Sequence, residues 1–192
     1  MKIFLIGISQ SGRTTVANAL CENNSFQLID ALDCMQFSFR ERLPKEHPQK
    51  FQEEYQLALS LKTKENPNHC IDSVKNIMNN YPDKKYLIID NITSPRDFAH
   101  LFNINEDIVI FLNRVDNEAE YKDCDSIAVS VMRDYCFWMS SCNYLNRERW
   151  LEFNFRIPGE DSDATKMLGS RNSIYIVKNI NKVILHLREL IK

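Results

Sequence analysis

The sequence predicts a three-layer α/β fold, a five-stranded parallel sheet with helices on both faces, and three observations predict it. Short apolar runs recur at residues 2–6, 26–29, 86–89, 108–112 and 173–177, with little of the polar alternation that a half-solvated strand shows. Segments with apolar residues at helical spacing lie between them, which suits right-handed crossovers between parallel strands. The first run ends at Gly7 and two others at Asp30 and Asp90, polar or flexible residues at the carboxyl edge where such sheets bind ligands.

The elements follow in order. Residues 2–6 read as a buried strand, and Val16, Ala19 and Leu20 carry the apolar spacing of a helix starting near Arg13. Asn23-Asn24-Ser25 breaks that helix before the second strand. Residues 34–48 contain Pro44 and Pro48, so a loop or broken helix is expected there. Phe51, Tyr55, Ala58 and Leu59 predict one helix, and Ile71, Val74, Ile77 and Met78 predict another after the Asn66-Pro67-Asn68 break. Ser94-Pro95 is a helix start, serine capping and proline filling the first turn, with Phe98, Leu101 and Phe102 facing inward. Residues 113–172 are the least regular, apart from an apolar helix over 129–145. After the fifth strand, Val183, Ile184, Leu187, Leu190 and Ile191 predict a closing helix.

The 192 residues suit a single domain spanning 1–192, which would bury roughly 70% of its unfolded surface. Apolar residues at 44% and charged residues at 26% are ordinary for a globular protein. A net charge of −2 argues against a nucleic-acid-wrapping surface and suits a small phosphorylated ligand. No apolar run approaches a membrane span, and no cleavable leader precedes the first strand, so a cytoplasmic protein without membrane contact is expected. The six cysteines form no Cys-x-x-Cys pair and no zinc-finger spacing, which predicts reduced, structural thiols. His47, His69, His100 and His186 show no ligand spacing.

Gly7-Ile8-Ser9-Gln10-Ser11-Gly12-Arg13-Thr14-Thr15 is the motif around which the chain is organised. It completes the phosphate-binding pattern of Gly, four residues, Gly-Lys-Ser/Thr except that Arg13 stands for lysine. Two glycines between a strand and a helix allow a tight turn, and a tight turn is one reading. The other is a P-loop, in which successive N–H groups and the positive helix end meet a polyphosphate. The cofactor-binding set is then Gly7, Ser9, Gln10, Ser11, Gly12, Arg13, Thr14 and Thr15, with ATP and Mg2+ as cofactors. Guanidinium is planar and wider than the lysine ammonium, so the exchange changes how phosphate is met.

Four local matches make the chain resemble the P-loop nucleotide kinases, especially deoxynucleoside monophosphate kinase, dephospho-coenzyme A kinase and phosphomevalonate kinase. Ser11-Gly12-Arg13-Thr14-Thr15-Val16-Ala17 resembles their Ser-Gly-Lys-x-Thr-x-Ala, and Leu28-Ile29-Asp30-Ala31 resembles a second-strand Val-Ile-Asp-Ala whose aspartate faces the acceptor. Leu87-Ile88-Ile89-Asp90-Asn91 is similar to their third-strand segment, although Thr93 occupies a common arginine position. Tyr175-Ile176-Val177-Lys178-Asn179 is similar to their last strand and its turn. The resemblance implies a P-loop NTPase fold, with an acceptor-site insertion at about 31–80 and a lid-like segment at about 113–172, and phosphoryl transfer from ATP to a nucleoside monophosphate or another small phosphorylated acceptor.

Phosphoryl transfer needs positioning and charge neutralisation more than covalent chemistry. Thr14 is the expected magnesium ligand, its hydroxyl following the lysine-equivalent position. Arg13 and Asp30 are the expected catalytic residues. Asp30 and Asp90 sit where a carboxylate orients an acceptor or holds magnesium through water, and where a strand-end cap is equally at home. Arg96, Arg147 and Arg149, with Arg133, are candidates to clamp acceptor phosphates bidentately, against the plainer fate of solvated surface arginines. Two functions remain open: a kinase-like enzyme, and a catalytically weak nucleotide-binding protein with a regulatory or scaffolding role. A homodimer is compatible with either.

Overall fold

In a computed structural model of the protein, the residues described are 1–7, 11–37, 60–114, 124–142, 144, 145, 149–155, 185 and 187. The elements are β1 (Lys2–Ile6), α1 (Arg13–Cys21), β2 (Phe26–Asp30), α2 (Ala31–Phe37), α3 (His69–Met78), β3 (Tyr86–Asp90), α4 (Pro95–Leu101), β4 (Ile108–Arg114), α5 (Cys124–Ser141) and β5 (Trp150–Phe155). Residues 60–65 are also helical. The sheet order is β2-β3-β1-β4-β5, and every pairing is parallel.

Burial on both faces explains the unbroken apolar strands. Along β1, Phe4 and Ile6 enter one core with Ile89, Phe98, Phe102 and Phe111, while Ile3 and Leu5 enter another with Val16, Ala17, Leu20 and Ile88. A continuous apolar run is the pattern this arrangement requires, since neither face meets water. The first core is aromatic at its centre, where the Phe4 ring meets Phe98 at 5.4 Å and Phe102 at 5.6 Å edge-on. Leu187, a helical residue, is fully buried in the second core beside α1. Helices thus cover both faces, and the fold is a three-layer α/β architecture.

Local chemistry sets the helix starts. Ser94 accepts a hydrogen bond from the Asp97 N–H at 3.3 Å, with Pro95 in the first turn. Asp30 caps α2, its Oδ1 accepting from the Leu32 and Asp33 N–H groups at 2.9 and 3.1 Å, so a helix follows β2 directly. At the amino edge of the sheet, buried Asp107 accepts from the N–H groups of Lys2 and Asn103 and pairs with Lys2 Nζ at 3.0 Å. That bond set fixes the start of β1 to the turn before β4.

The largest departure from the sequence reading is β5. Residues 150–155 fall inside the segment expected to be irregular, yet they pair with β4 from Val109↔Trp150 onward. Trp150 packs against one core and Leu151 lies in the other, while exposed Glu152 pairs with Arg133 of α5 at 3.2 Å. An edge strand mixes polar with apolar residues, so it lacks the unbroken run that marks β1, β3 and β4. The helix expected over 129–145 begins earlier, at Cys124, and ends at Ser141. The strand expected at 173–177, the helix around Phe51 to Leu59 and most of the closing helix lie outside the described residues.

Cys21, Cys34, Cys70, Cys136 and Cys142 are free thiols. Burial pushes the Cys34 thiol up to about 11, with the Asp30 and Asp33 charges adding to it. Burial likewise takes Cys70 and Cys136 up to about 12. These groups are therefore poor nucleophiles as well as inaccessible. Alkylation at pH 8 with mass-spectrometric readout is expected to label exposed Cys142 in the native protein and spare Cys34, Cys70 and Cys136 until it unfolds. Equal labelling of all four would contradict this packing.

Candidate phosphate-binding site

The site begins where β1 leaves the sheet between β3 and β4. A Cβ at Gly7 would lie 2.6 Å from the Leu112 carbonyl oxygen and would run into Ser11 Oγ, so only glycine fits. Gly12 is required for a different reason: nothing crowds it, but its φ of +89° lies in the left-handed region. One glycine provides room and the other a backbone turn. Together they deliver the chain to the start of α1.

That helix start is short of acceptors. Gly12 offers no side-chain cap, and the first turn of α1 contains no acidic residue. The first helical bond runs from the Val16 N–H to the Gly12 carbonyl at 3.0 Å. The N–H groups before Val16 therefore sit at the positive end of the helix dipole with no capping side chain among the described residues, which favours an anion. By contrast α2 has the Asp30 cap and α4 the Ser94 cap. The Ser11 hydroxyl is buried and has no hydrogen-bond partner among the described residues.

Arg13 opens α1 and turns towards the sheet. Its Nη1 lies 3.3 Å from Asp90 Oδ1; the arginine side chain is 16% exposed and the aspartate 2%. Asp90 also accepts the Asn91 N–H at 2.7 Å. Burial pushes the Asp90 carboxyl above its ordinary value, opposed by Arg13 and the Asn91 N–H and reinforced by the Asp30 charge. Asp30 and Asp90 are direct partners in the β2–β3 register. Asn91 relieves their crowding, since its Nδ2 donates to Asp30 Oδ2 at 2.6 Å. Its φ of 59° makes it the left-handed non-glycine residue among those described. Asparagine tolerates that conformation better than most residues.

The sequence-predicted residues divide clearly. Gly7, Ser11, Gly12, Arg13, Thr14, Asp30 and Asp90 gather at the carboxyl edge of β1, β2 and β3, with Thr14 and Thr15 exposed on the first turn of α1. Arg96 donates from Nη1 to the Pro67 carbonyl and from Nη2 to Asn68 Oδ1, both at 2.6 Å. It ties α4 to the turn before α3. Arg149 immediately precedes β5, and since Ile6 is level with Phe111 and Phe111 with Glu152, it lies three residues, ~10 Å along the strand direction, below the point where β1 ends. Arg133 pairs with Glu152 and lies over the Phe111 ring at 5.7 Å. Ser9, Gln10 and Arg147 lie outside the described residues. Asn91 had no role in the sequence reading, though an asparagine directly after a strand-ending aspartate is the signal for a left-handed turn.

No protein-family model matches the chain, and no curated protein matches it. Among solved structures it is similar to thymidylate kinase from Ehrlichia chaffeensis, at 14% identity over 100% of this chain and 98% of that one, with a TM-score of 0.40. It is also similar to shikimate kinase from Bacteroides thetaiotaomicron, at 12% identity over 98% of each chain and a TM-score of 0.44. A gluconokinase from Sinorhizobium meliloti 1021 matches at 9% identity over 98% and 96%, with a TM-score of 0.38. Likeness at that level says nothing about chemistry. Among the described residues no helix is long and apolar enough to cross a membrane, and no cluster of three His, Cys, Asp or Glu forms a metal site.

The buried ion pair has a measurable consequence. Arg13→Ala leaves the buried Asp90 without its cation, which costs about 3 kcal/mol of stability where the carboxyl is charged. A carboxyl whose folded value is raised stabilises the fold below its unfolded value and loses that contribution as pH rises through the folded one. The deficit of Arg13→Ala is therefore expected to be large at pH 7.5 and to shrink towards pH 5, by urea unfolding. A deficit independent of pH would contradict the pairing.

Proposed function

We propose that the protein is an ATP-dependent phosphotransferase acting on a nucleoside monophosphate or another small phosphorylated acceptor. The observation that carries this reading is the uncapped start of α1, reached through Gly7 and Gly12 and flanked by the Arg13 guanidinium. Backbone N–H groups across residues 9–14 would cradle the phosphate chain, and Arg13 would balance charge on the transferred group. Asp30, at the end of β2 on the far side of β3, is the residue assigned to the acceptor side, where a carboxylate orients a hydroxyl.

The donors fit magnesium in the manner usual for phosphate sites, in which substrate oxygens and water supply most of the shell. Thr14 would contribute its hydroxyl. When bound, the ion would neutralise phosphate charge. Asp90 is less available as a ligand, because it is buried and already pairs with Arg13. That same pair favours the second reading, a protein that binds nucleotide with little or no turnover for a regulatory or scaffolding role.

Calorimetric titration with ATP–magnesium, followed by coupled ADP detection across nucleoside monophosphates, separates the two. The enzyme reading expects acceptor-dependent ADP release, and Asp30→Asn is expected to lower it by about 10²- to 10⁴-fold with a smaller effect on ATP affinity. Binding without ADP release for any acceptor would select the second reading. Equal ATP affinity in wild type and Gly12→Val would overturn both.

A further inference from the structure

Arg13 replaces a lysine in the motif, and the geometry around it supplies a reason that the motif does not contain. Asp90 ends β3, whose register with β2 carries through to Asp30↔Asp90 and which also pairs with β1. Its carboxylate is pinned further by the Asn91 N–H at 2.7 Å. Neither feature lets it follow a ligand. Arg13 Nη1 reaches it at 3.3 Å across the start of α1.

Resting on the phosphate-site reading, we infer that Asp90 is a positioning residue for Arg13, holding one arm of the guanidinium so that the other donors are aimed at the ligand phosphate. A guanidinium has five donors in a rigid fork and can serve two anions from different edges, whereas an ammonium concentrates its charge and its three donors on one nitrogen and offers no separate edges. The arginine and the aspartate are thus a pair adapted to each other. Arg13 would bridge the sheet and the phosphate instead of moving between them.

Two features of the surroundings favour a bridge over a competition. An anion that drew Arg13 away would leave a carboxylate that is 2% exposed without its cation, a loss larger than a partly solvated phosphate contact recovers. In addition, Asp30 does not share the guanidinium. Its Oδ2 accepts from Asn91 Nδ2, and its Oδ1 from two N–H groups of α2. Asn91 therefore separates the two carboxylates, donating its backbone N–H to one and its side-chain amide to the other.

The inference makes a prediction opposite in sign to simple charge counting. Removing a negative charge beside an anion site should strengthen anion binding by Coulomb's law. If Asp90 positions Arg13, Asp90→Asn weakens it. The probe is inorganic tripolyphosphate without magnesium, titrated calorimetrically into wild type, Asp90→Asn, Arg13→Ala, Arg13→Lys and the Arg13→Ala/Asp90→Asn double variant, with thermal melts for each. Asp90→Asn is expected to bind about tenfold more weakly, the scale of one charge-assisted hydrogen bond misplaced. In the Arg13→Ala background the same substitution is expected to cause no further loss, which a role independent of the guanidinium would not produce.

Equal or tighter binding by Asp90→Asn overturns the positioning role while leaving the phosphate site intact. A loss of the same size in both backgrounds overturns it too. If Asp90→Asn does not fold, Arg13→Lys decides: a roughly tenfold loss supports the bridge, and undiminished affinity overturns it. Absence of binding by wild type overturns this inference together with the phosphate site on which it rests.

Discussion

The parallel pairing of β1 between β3 and β4 is the constraint on which the rest of the structure depends. It buries Ile3, Phe4, Leu5 and Ile6 on two opposite faces at once, so helices must cover both. It also fixes what surrounds the chain as it leaves the sheet. The Leu112 carbonyl of β4 stands on one side, close enough to exclude any side chain at residue 7, and Asp90 of β3 stands on the other. The turn into α1 is shaped by these neighbours as much as by its own glycines.

The charges at this edge are arranged so that each has a separate answer. Asp30 takes hydrogen bonds from α2 and Asn91, and Asp90 takes Asn91 and Arg13. A buried ion pair is weak evidence for stability, since well-packed apolar residues often do as well or better. On the proposed reading its place beside the start of α1 is part of a ligand site, where a phosphate would meet the helix dipole, the N–H groups before Val16 and the guanidinium together.

The central layers were legible because fully buried strands write their burial into the sequence as unbroken apolar runs. Residues 86–89 and 108–112 needed no context to be recognised, and Ser94-Pro95 announced α4 through capping chemistry that is local. Trp150–Phe155 was illegible because an edge strand is defined by its neighbour, and Glu152 has its reason on α5, nineteen positions back in the chain at Arg133. The same distinction applies within the site. The glycine loop is a local motif, whereas the pairing of Arg13 with Asp90 joins residues far apart in sequence through the sheet order. Arg96, an arginine near the right strand, has two of its donors on Pro67 and Asn68. Residue type and position along the chain suggested a phosphate clamp there; only the fold reveals where its donors go.

The account stands on the start of α1 being an anion site. Backbone amide chemical shifts recorded by NMR while ATP–magnesium is added test that claim most directly. The account predicts that the largest shifts fall at Ser11, Gly12, Arg13 and Thr14, with Asn91 responding through the Asp90 contact. Saturable binding that leaves those amides unmoved, with the changes centred on another face of the sheet, would contradict it.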